Sequence, residues 1–370
     1  MKVLYVLRYF PAMTETFVRN EIDELVRRGH QVQVIAWGPR EETMYWDPRC
    51  SADHFYPPKG LGGLAASASG LNPGLLWRNR HLVGWLNRQV GAKWSVRVWW
   101  LVRQLNEGDF DRVHCHFAGE TAEWAMVASC LASVPFSVTV HAVDLFKPRP
   151  GLGFLLQRAS EVVTISEYNR RWILEAYDVE ATVARCGVKY QRFTGSRKSL
   201  QGPMNLVCVA RNVPKKGLDT LVNAVIRVGP SVHLRLVSNY PDPGCDWIDV
   251  GMVPPDEVEL ELRAADVFVL PCRRAEDGDC DGIPVALMEA MNVGLPVMTT
   301  TTSGLGELVD DEVGWIFAPD CVDTLTSTID KAMKQSEEWS VRGQSGNQRI
   351  LKMGYTLENQ VNSLLKLWST

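Results

Sequence analysis

The residues best suited to chemistry lie in one short segment, EDGDCDGIPVALMEAMNVGLPV. Asp277, Asp279 and Asp281 match the opening of a calcium-binding loop, in which a bidentate glutamate must occupy the twelfth position. Counted from Asp277, that position is Met288, and Glu289 comes one residue late. The spacing therefore predicts no metal at this segment and a different role for its carboxylates.

This segment has the pattern of a loop followed by a helix. The run before it, DVFVLPC, has the composition of a buried strand. Pro284 suits the first turn of a helix, and Gly294 followed by Pro296 suits its end. Glu289 would then lie about 7.5 Å inside the helix, where its carboxylate can accept hydrogen bonds from a ribose diol. The alternative is a solvated Glu289, which its apolar neighbours disfavour.

Two cations and a glycine-rich turn are the other candidates for ligand binding. In VARNVPKKG, Arg211 follows a predicted strand and Lys216 lies in the next loop. Two fixed cations suit a diphosphate, although both residues could equally be solvated. In SGLGELV, the turn at Gly304 opens a helix and could present backbone N–H groups to an anion.

A further metal hypothesis concerns HCHF, which carries His114, Cys115 and His116. The alternation is that of a strand end, and the sequence shows no additional ligands beside it. The nine cysteines form no C-x-x-C pair and predict reduced, mostly buried thiols of a cytoplasmic protein. The net charge of −4 predicts no general affinity for nucleic acid.

The chain of 370 residues alternates short β-branched runs with helical segments, the pattern of parallel α/β units. The alternation occurs twice, which predicts two facing Rossmann-like domains with a cleft at the carboxyl ends of both sheets. The predicted limits are 1–193 for the first domain, 194–203 for a linker, 204–350 for the second domain, and 351–370 for a helix that returns to the first. No signal peptide and no membrane-spanning helix are expected.

One segment, residues 54–106, interrupts this pattern because it contains tryptophans and arginines but no acidic residue between His54 and Asn106. The tryptophans are Trp77, Trp85, Trp94, Trp99 and Trp100. Such a mixture suits a helix at an anionic membrane surface. It suits equally a helical excursion that buries its tryptophans against the first sheet.

Several motifs in order resemble the retaining glycosyltransferases of family 4, which have the GT-B fold. DGIPVALMEAMNVGLPV is similar to their E-x7-E donor-binding signature, VARNVPKKGLDTL to their Arg-Lys diphosphate motif, and SVTVHAVDLF to their Thr-x-His segment. The opening RYFPAMTETFVRNEI is similar to members that build exopolysaccharides of the colanic acid type. The resemblance covers nearly the whole chain and is weakest over residues 43–108.

The resemblance implies roles for seven residues. Glu289 would bind the nucleotide ribose, and Asp281 stands where the family has its first glutamate, which contacts the donor sugar. The others would contact the donor as follows: Arg211 and Lys216 at the diphosphate, His141 beside the sugar, Gly304 and Leu305 through backbone N–H groups. Asp281 is one methylene shorter than the usual glutamate, and Lys189 replaces the usual aspartate after GV.

The implied activity is transfer of a hexose, with retention of configuration and without a metal or other cofactor, from a UDP- or GDP-linked sugar to a glycan or lipid-linked glycan. The departing phosphate would help to deprotonate the acceptor on the same face of the sugar. The enzyme would work in the cytoplasm, with the inner leaflet of the membrane as a possible partner. The alternative from another class is a nucleotide-sugar protein that transfers nothing, of an epimerase-like or regulatory kind.

Overall fold

The computed structural model describes residues 1–12, 15–38, 50–58, 65, 72–196 and 199–369, without the side chains of residues 90 and 92–96. The chain forms two compact units. The first comprises Met1–Ile165, Asn169–Ala184 and Val361–Thr370, and the second comprises Ser166–Tyr168 and Arg185–Gln360.

The described part of the first unit is built on a seven-stranded parallel sheet in the order β3-β2-β1-β4-β5-β6-β7. Its strands are β1 Lys2–Leu7, β2 Gln31–Ala36, β3 Asp53–Phe55, β4 Arg112–His116, β5 Phe136–Val140, β6 Glu161–Thr164 and β7 Thr182–Val183. Its helices are α1 Thr16–Arg27, α2 Pro73–Arg78, α3 Arg80–Val90, α4 Ala92–Gly108, α5 Glu120–Ala132, α6 Ala142–Phe146, α7 Leu152–Arg158 and α8 Glu167–Tyr177.

The second unit has a six-stranded parallel sheet over its described residues, in the order β10-β9-β8-β11-β12-β13. Its strands are β8 Met204–Val209, β9 Val232–Val237, β10 Ile248–Gly251, β11 Val267–Leu270, β12 Val297–Thr299 and β13 Gly314–Ile316. Its helices are α9 Leu218–Val228, α10 Val258–Ala264, α11 Val285–Asn292, α12 Leu305–Leu308, α13 Val322–Lys334 and α14 Trp339–Lys352, and α15 Leu357–Trp368 begins in it and continues into the first unit. The turns Pro214–Lys216 and Ser336–Glu338 are 3-10 helices.

Both sheets are doubly wound, which confirms the predicted pair of Rossmann-like domains. The strand order reverses between β1 and β4 in the first unit and between β8 and β11 in the second. In such sheets, ligands bind outside the carboxyl ends of the strands at this reversal. The loops that follow β1 and β4 in the first unit, and β8 and β11 in the second, are therefore where functional side chains are expected, together with the loops after the adjacent strands β5 and β12.

The tryptophan-rich segment packs largely as core. Trp85, Trp99 and Trp100 are buried, and Trp85 stacks on Phe154 with ring centroids 4.3 Å apart. Trp77 is the exception, with 71% of its surface exposed. Burial of these rings supports the helical excursion over a fully membrane-facing helix. The side chain of Trp94 and the structure of residues 59–64 and 66–71 lie outside the description.

Two stretches lie mostly outside the regular elements. The run ATVARCGV, residues 181–188, contributes only the two-residue strand β7, because the chain then leaves the sheet and Val188 pairs with Thr356. The predicted linker residues 194–196 and 199–203 form neither helix nor strand, and residues 197–198 lie outside the description. From Val361 onward, α15 belongs to the first unit, where the ring of Trp368 contacts His114.

Candidate functional site

Glu289 is the least satisfied charged group of the predicted site. It occupies the fifth position of α11, which begins after Pro284 and ends before Gly294, a residue with φ of 71°. The side chain is half-buried, and no residue in the described ranges pairs with its carboxylate. Burial, aided by the nearby Glu259 carboxylate, raises the pKa of Glu289 to about 7. A carboxylate held in this way suits a ligand hydroxyl as its partner.

Lys216 and Asp281, to which the sequence assigns different parts of the donor, form an ion pair. The Nζ atom of Lys216 lies 2.7 Å from Oδ2 of Asp281, and Nζ of Lys215 lies 3.4 Å from Oδ1. Burial opposes both charges, but their mutual attraction prevails and raises the pKa of Lys216 while it lowers the pKa of Asp281. Both groups are therefore ionised, and the lysine is held in one position.

Asp281 keeps little room for a further ligand. Its Oδ2 atom also accepts a hydrogen bond from the thiol of Cys272, with the sulfur at 3.4 Å. Since each carboxylate oxygen has about two acceptor positions, Oδ2 is filled by Lys216 and Cys272. Oδ1 has one contact, to Lys215, and can accept one more hydrogen bond. This geometry leaves room for one further hydrogen-bond donor.

The turn that carries Lys216 is fixed by residues that sequence analysis missed. Gly217 has φ of +61°, and a Cβ atom there would lie 2.3 Å from the carbonyl oxygen of Pro271. The Arg273 guanidinium donates to the carbonyl of Pro214 at 2.6 Å, and its main-chain N–H donates to Lys215 at 2.9 Å. The glycine after two lysines was the available signal, because only glycine fits this backbone and this approach.

Arg211 and the glycine-rich turn lie at two other strand ends. Arg211 follows β8 by two residues, is exposed, and has no pairing partner among the described residues. Gly304 precedes the short helix α12, and a Cβ atom there would make ordinary van der Waals contacts, at 3.4 Å, with Ile283 and Ser166. The N–H of Leu305 already donates to Thr302 at 3.3 Å. No hydrogen bond or ion pair in the described part of the unit joins these groups to the Lys216–Asp281 pair.

His141 belongs to the first unit, where it follows β5 and caps α6. Its main-chain N–H donates to Oδ2 of Asp144 at 2.8 Å, and burial raises the pKa of Asp144 to about 7. Phe17 and Phe117 contact the imidazole, with ring centroids 5.1 and 4.4 Å away. Burial lowers the pKa of His141 well below its usual value, so the ring is neutral near pH 7.

Behind His141 lies a buried polar cluster that sequence analysis did not find. His116, at the end of β4, lies 3.1 Å from His141 and 2.9 Å from Glu21 of α1. The Tyr5 hydroxyl donates to the same Glu21 oxygen at 2.6 Å. His116 and Glu21 are 95 residues apart in the sequence, so no local motif could have joined them.

The same cluster bears on the metal hypothesis at HCHF. Glu21, His114 and His116 each offer a ligand atom within 4.8 Å of the others, so a third ligand does accompany the histidines in space. However, both nitrogens of His114 are already bonded, Nδ1 to Ser137 at 2.8 Å and Nε2 to Thr139 at 3.1 Å. A metal ion would have to break these bonds, which favours a hydrogen-bonded cluster.

Two protein-family models match the chain side by side. Residues 14–192 match the model described as Glycosyltransferase Family 4, and residues 203–335 match the model described as Glycosyl transferases group 1. The described residues contain no helix long and apolar enough to cross a membrane.

Individual proteins are similar over most of the chain. The WcaL protein of Salmonella typhimurium, provisionally described as a colanic acid biosynthesis glycosyltransferase, is 29% identical over 85% of this chain and 86% of its own. The amylovoran biosynthesis glycosyltransferase AmsK of Erwinia amylovora is 28% identical over the same shares. Among solved structures, Anabaena HepE in complex with UDP-glucose aligns with a TM-score of 0.73 at 15% identity, over 100% of this chain and 99% of its own. The sucrose-phosphate synthase of Thermosynechococcus elongatus aligns with a TM-score of 0.72 at 16% identity, over 100% and 98%.

Proposed function

Because the chain belongs to the group 1 and family 4 glycosyltransferases, we propose that it transfers a hexose from a UDP- or GDP-linked sugar to a growing glycan, with retention of configuration. The named relatives are described as glycosyltransferases of colanic acid biosynthesis, provisionally, and of amylovoran biosynthesis, which supports an extracellular polysaccharide as the product. The solved complexes of HepE contain UDP and UDP-glucose, which supports UDP first among the candidate nucleotides.

The observation that carries the proposal is the unpaired carboxylate of Glu289. Two hydroxyls of a ribose would supply the donors that this half-buried group lacks. Arg211 and Lys216 would then bind the diphosphate, and the Oδ1 atom of Asp281 would accept a hydroxyl of the sugar. The backbone N–H of Gly304 would contact the phosphates, whereas that of Leu305 already donates to Thr302.

The proposed chemistry needs no protein nucleophile. The bond between the anomeric carbon and the diphosphate oxygen breaks, and the acceptor oxygen bonds to the same carbon on the same face. The proton of the acceptor hydroxyl passes to the departing phosphate. Arg211 and Lys216 stabilise the negative charge that grows on the leaving group, so the proposed reaction is independent of a metal ion.

The test is transfer with and without an acceptor. A thermal-shift screen with UDP-, GDP- and ADP-sugars identifies the donor, and proton NMR then follows its fate with lipid-linked oligosaccharide present or absent. We expect an α-linked donor to give an α-linked product only when acceptor is present. Donor that isomerises or hydrolyses without acceptor would instead favour the epimerase-like or regulatory alternative.

A lipid-linked acceptor on the cytoplasmic membrane face fits one surface of the first unit. Trp77 is exposed, as are Arg78, Arg80 and Arg88 on α2 and α3. The guanidinium of Arg80 lies over the Trp77 ring at 5.0 Å from its centroid. An exposed indole surrounded by arginines suits the headgroup level of an anionic membrane.

Liposome flotation tests this contact. The wild-type protein should float with anionic vesicles, and the triple change of Arg78, Arg80 and Arg88 to Glu should remain at the bottom of the gradient. A control with the same charge change uses exposed lysines of the second unit, namely Lys331, Lys334 and Lys352 changed to Glu. Wild type that fails to float, or a control that fails equally, would refute a specific contact at Trp77.

A further inference from the structure

Four side chains from four elements of the first unit form one continuous hydrogen-bonded chain. Tyr5 comes from β1, Glu21 from α1, His116 from the end of β4, and His141 from the residue after β5. The successive contacts are 2.6 Å, 2.9 Å and 3.1 Å. All four residues are buried, with exposed fractions between 0% and 6%.

The direction of the hydrogen bonds follows from the carboxylate. Burial acts to raise the pKa of Glu21, but attraction to His116 and the hydrogen bonds from His116 and Tyr5 lower it to about 2. An ionised carboxylate can only accept, so the proton between Glu21 and His116 is on Nε2 of His116. The other nitrogen of His116, Nδ1, faces Nε2 of His141 at 3.1 Å, and it accepts from that atom when His116 carries only the proton that it donates to Glu21.

We propose that Glu21 and His116 are positioning residues that hold His141 as the neutral tautomer with its proton on Nε2. The Nδ1 atom of His141 can then act only as a hydrogen-bond acceptor. This inference rests on the proposed function, in which the ring of His141 lies beside the donor sugar. In serine proteases, a buried carboxylate fixes the tautomer of the catalytic histidine by a direct hydrogen bond. Here the carboxylate of Glu21 acts on His141 through a second imidazole, that of His116.

The surroundings of His141 support a fixed ring. Phe17 and Phe117 contact it on the side of α1 and β4, and the capping bond to Asp144 holds its main chain. A solvated histidine would exchange its proton between both nitrogens, and a substrate hydroxyl would then meet either a donor or an acceptor. A ring held by hydrogen bonds and by packing presents one polarity only.

Histidine NMR tests the tautomers without any substrate. The chain has seven histidines, and the signals of His116 and His141 are assigned from the variants in which each is replaced. At pH 8 we expect long-range ¹H–¹⁵N correlations to show both rings neutral with the proton on Nε2. A doubly protonated His116, or a proton on Nδ1 of His141, would overturn the inference whether or not the protein transfers sugar.

A matched pair of substitutions tests the consequence for turnover. In His116→Asn the amide oxygen replaces Nδ1 and still accepts from His141, whereas His116→Gln places its amide near Nε2 and leaves His141 without an acceptor. We expect kcat to fall less than threefold for Asn and at least tenfold for Gln, with KM for the donor changed less than twofold. An equal loss in both variants would show that only the fold is affected.

His114→Asn is the control for burial. His114 is as deeply buried as His116 but bonds to Ser137 and Thr139, so its variant should keep kcat within twofold. Elemental analysis of the purified protein tests the alternative that Glu21, His114 and His116 bind a metal ion. One zinc ion per chain, lost together with His116, would replace the positioning role by a metal site. If wild-type protein shows no transfer, the proposed function fails, and the NMR result still decides the tautomers.

Discussion

Glu21 in the first unit and Glu289 in the second are both withdrawn from water, yet their pKa values move in opposite directions. Glu21 is 1% exposed, receives hydrogen bonds from Tyr5 and His116, and has its pKa lowered to about 2. Glu289 is half-buried and has no partner among the residues described, and burial raises its pKa to about 7. The fold supplies hydrogen-bond donors to the carboxylate of Glu21, whereas no described residue supplies one to the carboxylate of Glu289.

The opposite pKa shifts of Glu21 and Glu289 correspond to two different roles of a buried carboxylate. A satisfied carboxylate can orient its neighbours, because its partners lose their freedom to rotate and to exchange protons. An unsatisfied carboxylate lowers the stability of the fold, and a ligand that supplies the missing donors gains binding energy from it. We therefore expect substitutions at the two positions to differ in sign as well as in size.

The largest expected effect is on activity at Glu289. Glu289→Ala removes the acceptor proposed for the ribose, and we expect turnover to fall at least tenfold while the circular dichroism spectrum stays unchanged. Glu259→Gln is the matched control, because Glu259 is exposed and acts on Glu289 only through its charge. Wild-type turnover in Glu289→Ala, measured with the donor found by the thermal-shift screen, would remove Glu289 from the site.

The next effect concerns the two neighbouring lysines. Lys216→Ala removes the cation that is held by Asp281 at 2.7 Å, and we expect about a tenfold loss of turnover. Lys215→Ala removes a longer contact of 3.4 Å to the same carboxylate and should cost less than threefold. If both variants lost turnover equally in steady-state assays, Lys215 and Lys216 would serve only to neutralise the acidic loop.

A smaller effect is the opposite pH dependence of stability. Since the pKa of Glu21 is lowered from 4.5, its stabilising contribution is present above pH 4.5 and is lost as the pH falls toward 2. At pH 8, Glu21→Gln should lower Tm by about 5 °C, because the hydrogen bonds that Tyr5 and His116 donate to a carboxylate, worth about 2 kcal/mol, are replaced by weaker bonds to a neutral amide.

For Glu289 the sign is reversed. Its pKa is raised from 4.5, so the folded state is favoured below pH 4.5 and loses stability as the pH rises through 7. Glu289→Gln should raise Tm by about 2–4 °C at pH 8 and leave it nearly unchanged at pH 4.5. Differential scanning fluorimetry at both pH values decides the comparison, and a lower Tm for both variants at pH 8 would contradict it.

The smallest expected effect is that of metal removal. In the proposed reaction, Arg211 and Lys216 supply the positive charge at the leaving group, so EDTA should change turnover less than twofold. Strict dependence on added Ca²⁺ or Mn²⁺ in the same assay would reopen a metal site, either at the acidic loop or at Glu21 and the two histidines.

Much of the second unit could be read from the sequence because its functional residues are local. Strand, loop and helix follow one another around Asp281 and Glu289, and the start and stop signals at Pro284 and Gly294 set the helix to within one or two residues. Glycine after the paired lysines marked a special turn. The pairing of Lys216 with Asp281 was not predictable, because it joins loops after two different strands.

The first unit shows the opposite case. Its strands β1 to β6 were predictable from periodic apolar residues, yet the chain from Tyr5 to His141 depends on which strands lie side by side. The sequence placed His116 at a strand end but could not supply Glu21 as its neighbour. Strand β7 ends after two residues, and Val188 beyond it pairs with Thr356, a contact outside the sheet that no local pattern records.

The first unit is built from chain segments that are far apart in the sequence, and this has a consequence for synthesis on the ribosome. Residues Val361–Thr370 belong to that unit, but they are translated only after the whole second unit. At ordinary elongation rates the delay is on the order of ten to forty seconds. During this time His114 lacks the ring of Trp368, and Arg112 lacks the Trp368 carbonyl to which it donates at 3.5 Å. The unit whose translation begins first is thus completed after the second unit, because its core also needs the residues of α15.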